Sequence, residues 1–332
     1  MEFHFKTNKS TKIIFGALPE FFNDENYAFI VDEKILELYP DLRAKLKKYP
    51  LIGFEAIEKN KNFESLNFLF NFFQKNKLNR SFNIVAIGGG VTTDYVALAA
   101  SLFMRGCNLI LVPTTLLAMV DASLGGKTAV HFNERKNAIG SFYPASKIFI
   151  DFGFLQTLPK NEIQNGWSEI IKTALISKNK LRDLIFQKKS LEDVIKKTIQ
   201  IKMDICERDI FDRGERRFLN FGHSFAHIIE SYFNFNIPHG KAVAVGIRIA
   251  IFFAHRYLKI NYDDEVKLLL NKLSDHEIDL SGLTIDILAD LISSDKKNTN
   301  KINLVLLKGI GEPFIYSVEN LEDVLFAMKN YE

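Results

Sequence analysis

The residues with the clearest chemical potential are one carboxylate and three histidines in the second half of the chain. Glu169 lies in a segment with helical periodicity, and His223 and His227 stand four residues apart in another, so that both imidazoles project from one helix face. His239 follows at the expected start of a further helix. One carboxylate with two imidazoles is a common catalytic zinc shell. Spacing alone favours His223 and His227 as two metal ligands, with Glu169 or His239 as the third. It leaves open the alternative that these are ordinary histidines that hydrogen-bond to carbonyl groups and bind no metal.

A glycine triplet, Gly88-Gly89-Gly90, stands where an apolar β-type run gives way to a helical segment. Backbone N–H groups there would approach a phosphate with no side chain in the way, and the helix N-terminus behind them favours an anion. The triplet is not a G-x-G-x-x-G fingerprint, however, and a tight strand-to-helix turn requires glycine on steric grounds alone. Asp32, at the end of an earlier apolar run, is a candidate for a ribose hydroxyl or an ordinary turn aspartate.

Cations recur beside small-residue loops along the chain. Several of them in one cleft would bind a polyanionic substrate such as a phosphorylated carboxylic acid. Each one taken alone is more typical of a solvated surface charge. The candidates are Arg105, Lys127, Lys136, Lys172, Lys202, Arg216 and the pair Lys296-Lys297.

Two hydrophobic patterns, one in each half of the chain, predict the secondary-structure elements that must position these residues. Short apolar runs alternate with helical segments in the first half, which favours a parallel sheet with crossover helices; the runs are 28–31, 82–87, 109–112 and 147–150, with a helix over 94–103. After about residue 155, apolar residues recur at helical spacing over 163–176, 191–206, 221–232, 242–257, 264–273 and 285–292, and a strand pair is expected at 302–307 and 314–316. We therefore expect an α/β domain over 1–155 and a mostly α-helical domain over 156–332.

The composition is that of a globular protein. The chain has 332 residues, of which 47% are hydrophobic and 25% charged, and a formal net charge of +3. This balance argues against a disordered chain and gives no basis for nucleic-acid or membrane-surface binding. The first residues lack the apolar core of a secretory signal, so a cytoplasmic protein is expected. Cys107 and Cys206 stand apart from each other in sequence, which predicts packing roles and neither a disulfide nor a thiolate metal site.

Several specific sequence motifs occur one after another along the chain, and the resemblance they carry extends from about residue 32 to about residue 307. The blocks are GGGVTTD at 88–94, MRG at 104–106, VPTTLLA at 112–118, VDASLGGKT at 120–128, KNAIGSF at 136–142, EIIK at 169–172, LNFGH at 219–223 with His227, HG at 239–240 and DKK at 295–297. In this order they resemble the 3-dehydroquinate synthases, a family of sugar phosphate cyclases.

The resemblance implies a Rossmann-like dinucleotide-binding domain, a helical C-terminal domain, and an active site between them that uses NAD and a divalent metal, usually zinc and alternatively cobalt. The implied metal ligands are Glu169, His223 and His239, with His227 facing the substrate instead. The implied catalytic residues are Lys127, Lys172, Lys202, Arg216, Asn220 and His227, and the further substrate contacts are Arg105, Asp121, Asn137 and Lys297. The residues implied to meet NAD are Asp32, Glu58, Lys61, Gly89, Gly90, Val91, Asp94, Thr114, Thr115, Lys127, Lys136, Phe154 and Thr157.

The same resemblance implies a reaction of the shikimate pathway. The substrate 3-deoxy-D-arabino-heptulosonate 7-phosphate would give 3-dehydroquinate and phosphate. Its C5 hydroxyl would be oxidised by NAD, the ketone would acidify the neighbouring C–H, phosphate would leave, and the returned hydride, ring opening and aldol closure would complete the cycle. The two anionic groups of this substrate would account for the many cations, and a homodimer is expected by analogy.

Two blocks depart from the family pattern. Thr93 stands where the family usually has glycine, which adds a Cβ beside the expected pyrophosphate path, and 133–136 reads Asn-Glu-Arg-Lys where a glycine usually precedes the lysine. The alternatives are a sister cyclase that forms 2-deoxy-scyllo-inosose or a valiolone, an oxidoreductase of the glycerol-1-phosphate or polyol dehydrogenase type, and a non-catalytic relative. Gly126, Asn220 and His227, which the sister cyclases tend to replace, are retained.

Overall fold

A computed structural model describes residues 1–5, 9–18, 26–133, 135–273, 278–295 and 302–331. The chain divides into two compact units: unit 1 comprises Met1–Ile163 and Lys202–Phe211, and unit 2 comprises Gln164–Ile201 and Asp212–Glu332. Lys297, expected to contact substrate, and its neighbour Lys296 lie outside the described residues. Within the described part of the chain, no helix is both long and apolar enough to span a membrane.

Unit 1 is built on a seven-stranded sheet in its described residues, with the order β1-β2-β9-β6-β5-β3-β4. Its strands are β1 (Glu2–Phe5), β2 (Lys9–Phe15), β3 (Tyr27–Asp32), β4 (Leu51–Phe54), β5 (Asn83–Gly88), β6 (Asn108–Pro113) and β9 (Lys147–Ile150). Only the β1–β2 pair is antiparallel among these strands. The expected parallel sheet is confirmed, with an antiparallel edge strand that the sequence pattern did not predict.

The centre of this sheet is apolar because helices cover it. The helices of unit 1 include α1 (Glu33–Leu38), α2 (Pro40–Leu46), α3 (Leu66–Lys75) and α4 (Gly90–Leu102). Phe29, Ile30 and Val31 on β3 and Ile84 and Val85 on β5 are fully buried, as expected for parallel strands buried on both faces. The register places the carboxyl ends of β3, β5 and β6 side by side, so ligand-binding loops after these strands share one edge.

A separate two-stranded hairpin packs against α4. It pairs β7 (Lys127–Phe132) with β8 (Arg135–Phe142) in antiparallel register. A short π-helical turn, Ala118–Ala122, precedes it. Neither β8 nor the turn has a strong apolar period, so the sequence pattern predicts no secondary structure for this segment.

Unit 2 is mostly helical, which confirms the expected class. Its helices run as α5 (Lys160–Ile176), α6 (Leu181–Phe186), α7 (Leu191–Arg208), α8 (His223–Tyr232), α9 (His239–Leu258), α10 (Asp264–Leu270), α11 (Ile285–Asp295) and α12 (Leu321–Lys329), where α5 begins and α7 ends in unit 1. The predicted strand pair is β10 (Ile302–Leu307) with β11 (Pro313–Val318), in antiparallel register.

Helices α5, α8 and α9 approach one another at glycines. A Cβ added to Gly240 at the start of α9 would lie 2.3 Å from the main-chain oxygen of Asn165 on α5. A Cβ added to Gly246 on α9 would lie 2.3 Å from the oxygen of Gly222, which precedes α8 with a left-handed φ of 78°. Real Cβ atoms do not come this close, so main chain packs directly on main chain at these contacts. Gly222 also explains why α8 begins at His223 and not at the predicted Phe221.

Candidate metal centre and nucleotide-binding segments

Three side chains from three helices of unit 2 converge on one point. Glu169 lies on α5, and His223 and His239 are the first residues of α8 and α9. Their ligand atoms all lie within 4.8 Å of one another. Oε1 of Glu169 is 3.5 Å from Nε2 of His223 and 3.6 Å from Nε2 of His239. A carboxylate and two imidazoles facing a common centre form a donor set suited to a catalytic zinc ion, which retains an open position.

The hydrogen bonds behind the two imidazoles orient them for ligation. Nδ1 of His223 lies 3.2 Å from the carbonyl oxygen of Phe221, and Nδ1 of His239 lies 3.0 Å from Oε1 of Glu230. Because a carbonyl only accepts, Nδ1 of His223 carries its proton and leaves the Nε2 lone pair toward Glu169. Glu230 is 1% exposed and sets the same tautomer for a ligating His239.

The buried carboxylate of Glu169 is suited to a cation. Both its oxygens are buried without a hydrogen-bond partner of acceptable geometry among the described residues, although Lys172 forms an ion pair with Oε2. Burial by itself would raise the pKa of Glu169, but the Lys172 ammonium and the imidazoles outweigh it and hold that pKa well below the usual range. Burial would lower the pKa of His239, but the nearby carboxylates of Glu169 and Glu230 outweigh it and raise the pKa to about 9. The ionised carboxylate of Glu169 therefore lies beside the Lys172 ammonium and the imidazole of His239, and a bound cation would displace the proton of His239.

His227 lies beside this group and outside it. The structure places it exposed on α8, with its ring centroid 5.8 Å from that of His223. Spacing favoured His223 with His227, whereas the structure groups His223 with His239 and Glu169. This is the ligand set that the family resemblance implied.

In unit 1, the strand ends carry the segments expected to meet NAD. Asp32 ends β3 and caps α1, its carboxylate accepting the Lys34 N–H at 3.2 Å; burial raises the pKa of Asp32. Gly88 ends β5, and α4 begins at Gly90 after Gly89, with Val91 half-buried as its second residue. Thr114 lies buried at the end of β6, and Thr115 accepts the Ala118 N–H at 3.2 Å.

Thr93, which departs from the family pattern, is buried within α4. Its side chain is 1% exposed, and its hydroxyl donates to the Gly90 carbonyl at 3.0 Å. The departure from the family pattern therefore adds buried volume in α4 and no exposed Cβ. The bare main chain at Gly89 and Gly90 still opens α4.

A charged network joins the segment 58–62 to α4 and to the β7–β8 hairpin. Nζ of Lys61, which is 3% exposed, donates to Oδ2 of Asp94 at 2.6 Å and to Oδ1 of Asn137 at 2.8 Å. Nε2 of His131 lies 2.8 Å from Oε2 of Glu58, and the Asn137 N–H donates to Nδ1 of His131 at 3.0 Å. Five residues from separate sequence positions thus form one continuous cluster.

The carboxylates of this network have opposite pKa shifts. Burial raises the pKa of Asp94 above its usual value, and the Lys61 ammonium offsets only part of that rise. Burial also acts to raise the pKa of Glu58, but the His131 hydrogen bond and the charges of Lys61 and Lys136 outweigh it, and that pKa lies at about 2. Lys136 Nζ is 4.0 Å from Oε1 of Glu58.

The turn at 154–157, which is expected to meet NAD, contacts the α1–α2 junction. Thr157 Oγ1 lies 2.6 Å from the Tyr39 hydroxyl, and the Phe154 ring meets the Tyr39 ring edge-on at 5.1 Å between centroids. Tyr39 is the C-cap of α1, whose N-cap is Asp32. The short helix α1 therefore connects Asp32 to the 154–157 turn, and both are expected to meet NAD.

The expected substrate-binding cations fall into a buried and an exposed group. Lys172, Lys202 and Arg216 are 1%, 6% and 2% exposed. Nζ of Lys202 donates to the Asp121 carbonyl at 2.8 Å and forms an ion pair with its carboxylate. The other expected substrate residues are more accessible: Arg105, Lys127 and Asn137 are exposed, and Asn220 is half-buried.

Two residues of the sites were missed at the level of sequence. Glu230 supports a metal ligand from within α8, and His131 joins Glu58 to Asn137. Glu230 is seven residues beyond His223 and lies on the same helical face, and this spacing could have identified it as a residue near the metal ligands. No sequence signal identifies His131, because its partners come from distant parts of the chain.

The family models and the sequence relatives identify one family. Residues 51–165 match the family model described as 3-dehydroquinate synthase N-terminal, and residues 166–298 match that described as 3-dehydroquinate synthase C-terminal. A 3-dehydroquinate synthase of Ruminiclostridium cellulolyticum is 35% identical over 93% of this chain and 92% of its own length.

Solved structures of sister cyclases share the fold. A 2-deoxy-scyllo-inosose synthase complexed with carbaglucose-6-phosphate, NAD+ and Co2+ superposes with a TM-score of 0.86 at 25% identity, covering 99% of each chain. A 2-epi-5-epi-valiolone synthase from Streptomyces hygroscopicus with NAD+ and Zn2+ bound gives a TM-score of 0.85 at 26% identity, covering 97% of this chain and 96% of the other. With both halves matched and close relatives aligned over nearly their full length, the chain belongs to the 3-dehydroquinate synthase family.

Proposed function

We propose that this protein is a 3-dehydroquinate synthase, a phosphate-eliminating cyclase that converts 3-deoxy-D-arabino-heptulosonate 7-phosphate to 3-dehydroquinate and phosphate. The observation that carries the proposal is the Glu169–His223–His239 group, of which Glu169 and His223 are buried, in a chain that matches both halves of the family. The reaction oxidises and then reduces the same carbon, so its net redox change is zero.

The residues fit the two groups that this chemistry needs. Glu169, His223 and His239 would hold a divalent cation such as Zn2+ or Co2+, and three protein ligands leave a position for substrate. The main chain at Gly89 and Gly90 opens α4 with no side chain in front of its N–H groups, as a pyrophosphate requires. When bound, the cation polarises a substrate oxygen, and NAD accepts and returns one hydride.

The cofactor-binding role is proposed for the strand ends of unit 1. The Asp32 carboxylate is the candidate for a ribose hydroxyl, and the Glu58–Lys61–Asp94 network supplies a second polar face. Glu58 stays ionised at neutral pH because its pKa lies at about 2, so it accepts hydrogen bonds throughout the working range. These groups would orient the nucleotide, and the hydride transfer would be carried out by the nucleotide itself.

The substrate-binding role is proposed for the cations. A phosphate and a carboxylate each require charge-assisted donors, and the buried Lys172, Lys202 and Arg216 offer theirs with little competing water. The Lys202–Asp121 and Lys172–Glu169 ion pairs keep the two ammonium groups charged in this environment. The exposed imidazole of His227 is proposed to hold a proton at the substrate, since it lies beside the metal ligands without joining them.

The proposal is tested with purified protein, NAD, zinc and 3-deoxy-D-arabino-heptulosonate 7-phosphate. Released phosphate, 3-dehydroquinate and the absorbance of NADH are followed together. Equal amounts of phosphate and 3-dehydroquinate without accumulating NADH are expected. The His223→Ala variant is the matched control and should release neither product.

Two other outcomes would contradict the proposal. Accumulating NADH without phosphate release would identify a dehydrogenase of the same fold. Absence of release in protein shown to bind zinc and NAD would favour a sister cyclase, and the same assay on a panel of other phosphorylated sugars would then find its substrate. The family models that match both halves of the chain are described as 3-dehydroquinate synthase, which favours that function over the sister cyclases.

A further inference from the structure

His131 binds the segment that contains Glu58 and Lys61 through both its main chain and its side chain. Its backbone N–H donates to the Lys61 carbonyl at 2.8 Å, and the residue pairs with Asn62 in an isolated parallel bridge. Its Nε2 lies 2.8 Å from Oε2 of Glu58. The β7 strand is therefore fixed to this segment at one residue.

The second ring nitrogen of His131 serves the β7–β8 hairpin. Nδ1 accepts the backbone N–H of Asn137 at 3.0 Å. A backbone N–H only donates, so Nδ1 is unprotonated and the ring proton sits on Nε2, where it donates to the Glu58 carboxylate. One neutral imidazole thus uses its acceptor on the hairpin and its donor on Glu58.

The contact with His131 holds Asn137 in a left-handed backbone conformation. Its φ is 53°, in a region that asparagine adopts more readily than most other non-glycine residues. In this conformation its Oδ1 accepts from the buried Lys61 ammonium at 2.8 Å, and Lys61 also holds Asp94. The hydrogen bond from the Asn137 N–H to His131 stabilises the backbone turn that aims this amide.

We propose that His131 is a positioning residue that sets Glu58 and Asn137 independently, each through one ring nitrogen. The proposal rests on the proposed function in one respect: Glu58 is taken to meet NAD, and Asn137 to meet the substrate. His131 then acts through the two residues and touches neither ligand. Its donor governs cofactor affinity and its acceptor governs substrate affinity.

Two conservative substitutions separate the two nitrogens. The amide of asparagine reaches about as far as Nδ1, so His131→Asn keeps an acceptor for Asn137 and loses the contact with Glu58. The amide of glutamine reaches about as far as Nε2, so His131→Gln keeps a donor for Glu58 and loses the acceptor. His131→Phe keeps the ring and removes both. His255→Gln, at an exposed histidine near the end of α9, is the matched control.

The expected result is a split of the two binding constants. His131→Asn should raise the Kd of NAD about fivefold to tenfold, because it loses one net hydrogen bond, the one to Glu58. The KM of the sugar phosphate should stay within about twofold, because the hydrogen bond to Asn137 is kept. His131→Gln should show the reverse, His131→Phe should raise both constants, and kcat should change least. General destabilisation of the fold would move both constants together in all three variants, and that result would overturn the proposal.

Amide hydrogen exchange provides a readout that needs no activity. The Asn137 N–H should be protected in the wild type and in His131→Asn, and should exchange at least about tenfold faster in His131→Gln and His131→Phe. Unchanged exchange and unchanged NAD affinity in His131→Phe would refute the role. Failure of the proposed function appears differently, as absent phosphate release from wild-type protein that binds NAD; the exchange and NAD measurements then still decide the role of His131.

Discussion

Replacing Glu230 tests whether the metal centre depends on the carboxylate behind it. Glu230 is 1% exposed, and its Oε1 lies 3.0 Å from Nδ1 of His239. Glu230→Ala leaves that N–H facing a cavity. A hydrogen bond to a charged group contributes about 1.5–3 kcal/mol, and such supporting residues alter metal affinity by about 10–100-fold. We therefore expect Glu230→Ala to weaken zinc binding by about 10–100-fold.

The isosteric Glu230→Gln variant separates charge from shape. Its amide oxygen still accepts the Nδ1 proton, so it should weaken zinc binding by no more than about tenfold. Zinc affinity is measured by competition with a chromophoric chelator on stripped protein, and thermal unfolding verifies that each variant is folded. Glu192→Ala, at an exposed glutamate on α7, serves as control. Folded Glu230→Ala and Glu230→Gln variants that both bind zinc as tightly as the wild type would refute the reasoning.

Three further predictions follow from the same contacts. His223→Ala should lose stoichiometric zinc, whereas His227→Ala should keep zinc and lose turnover; metal analysis with the phosphate assay checks this, and the opposite pattern would reassign the ligand. Asp121→Asn and Lys202→Met should each lower the free energy of unfolding, with a coupling of about 0.5–3 kcal/mol in a denaturant double-mutant cycle, because each change alone removes the opposite charge from the ion pair; strict additivity would contradict the pair. Glu58 has a pKa lowered to about 2, so its ionised form stabilises the fold above about pH 4.5 and that contribution disappears as the pH falls toward 2. The Tm of the wild type should therefore exceed that of Glu58→Gln at neutral pH and converge with it on acidification, and a constant difference would exclude this linkage.

Sequence patterns predicted the elements with a strong apolar signal. Strands β3, β5, β6 and β9 and the long helices of unit 2 lie within a few residues of their expected positions, because their buried faces repeat without interruption. The β7–β8 hairpin was missed because most residues of β8 are exposed or half-buried, so no apolar face marks it. β1 and β2 were missed because they are short and interrupted by polar residues.

The candidate site was predictable in its residue types and less so in its grouping. Helical spacing places His223 and His227 on one face, but it carries no information about which other helix packs there. His239 lies beside His223 because α9 packs against α8 through main-chain contacts. This proximity depends on tertiary packing, which helical spacing does not reveal. The family resemblance supplied this grouping through motif order, and neither source pointed to Glu230 or His131.

The main-chain contacts of α9 also determine which positions of this protein can vary. A methyl group at Gly222 or Gly246 would push α8 and α9 apart, and one at Gly240 would push α9 away from α5, so the helices that carry His223, His239 and Glu169 would separate. In a saturation mutagenesis selected for function, these glycines should tolerate as few substitutions as the ligands themselves. Fitness data alone would thus count these glycines as active-site positions, although their structural role is to set the distances between the helices that carry the three ligands.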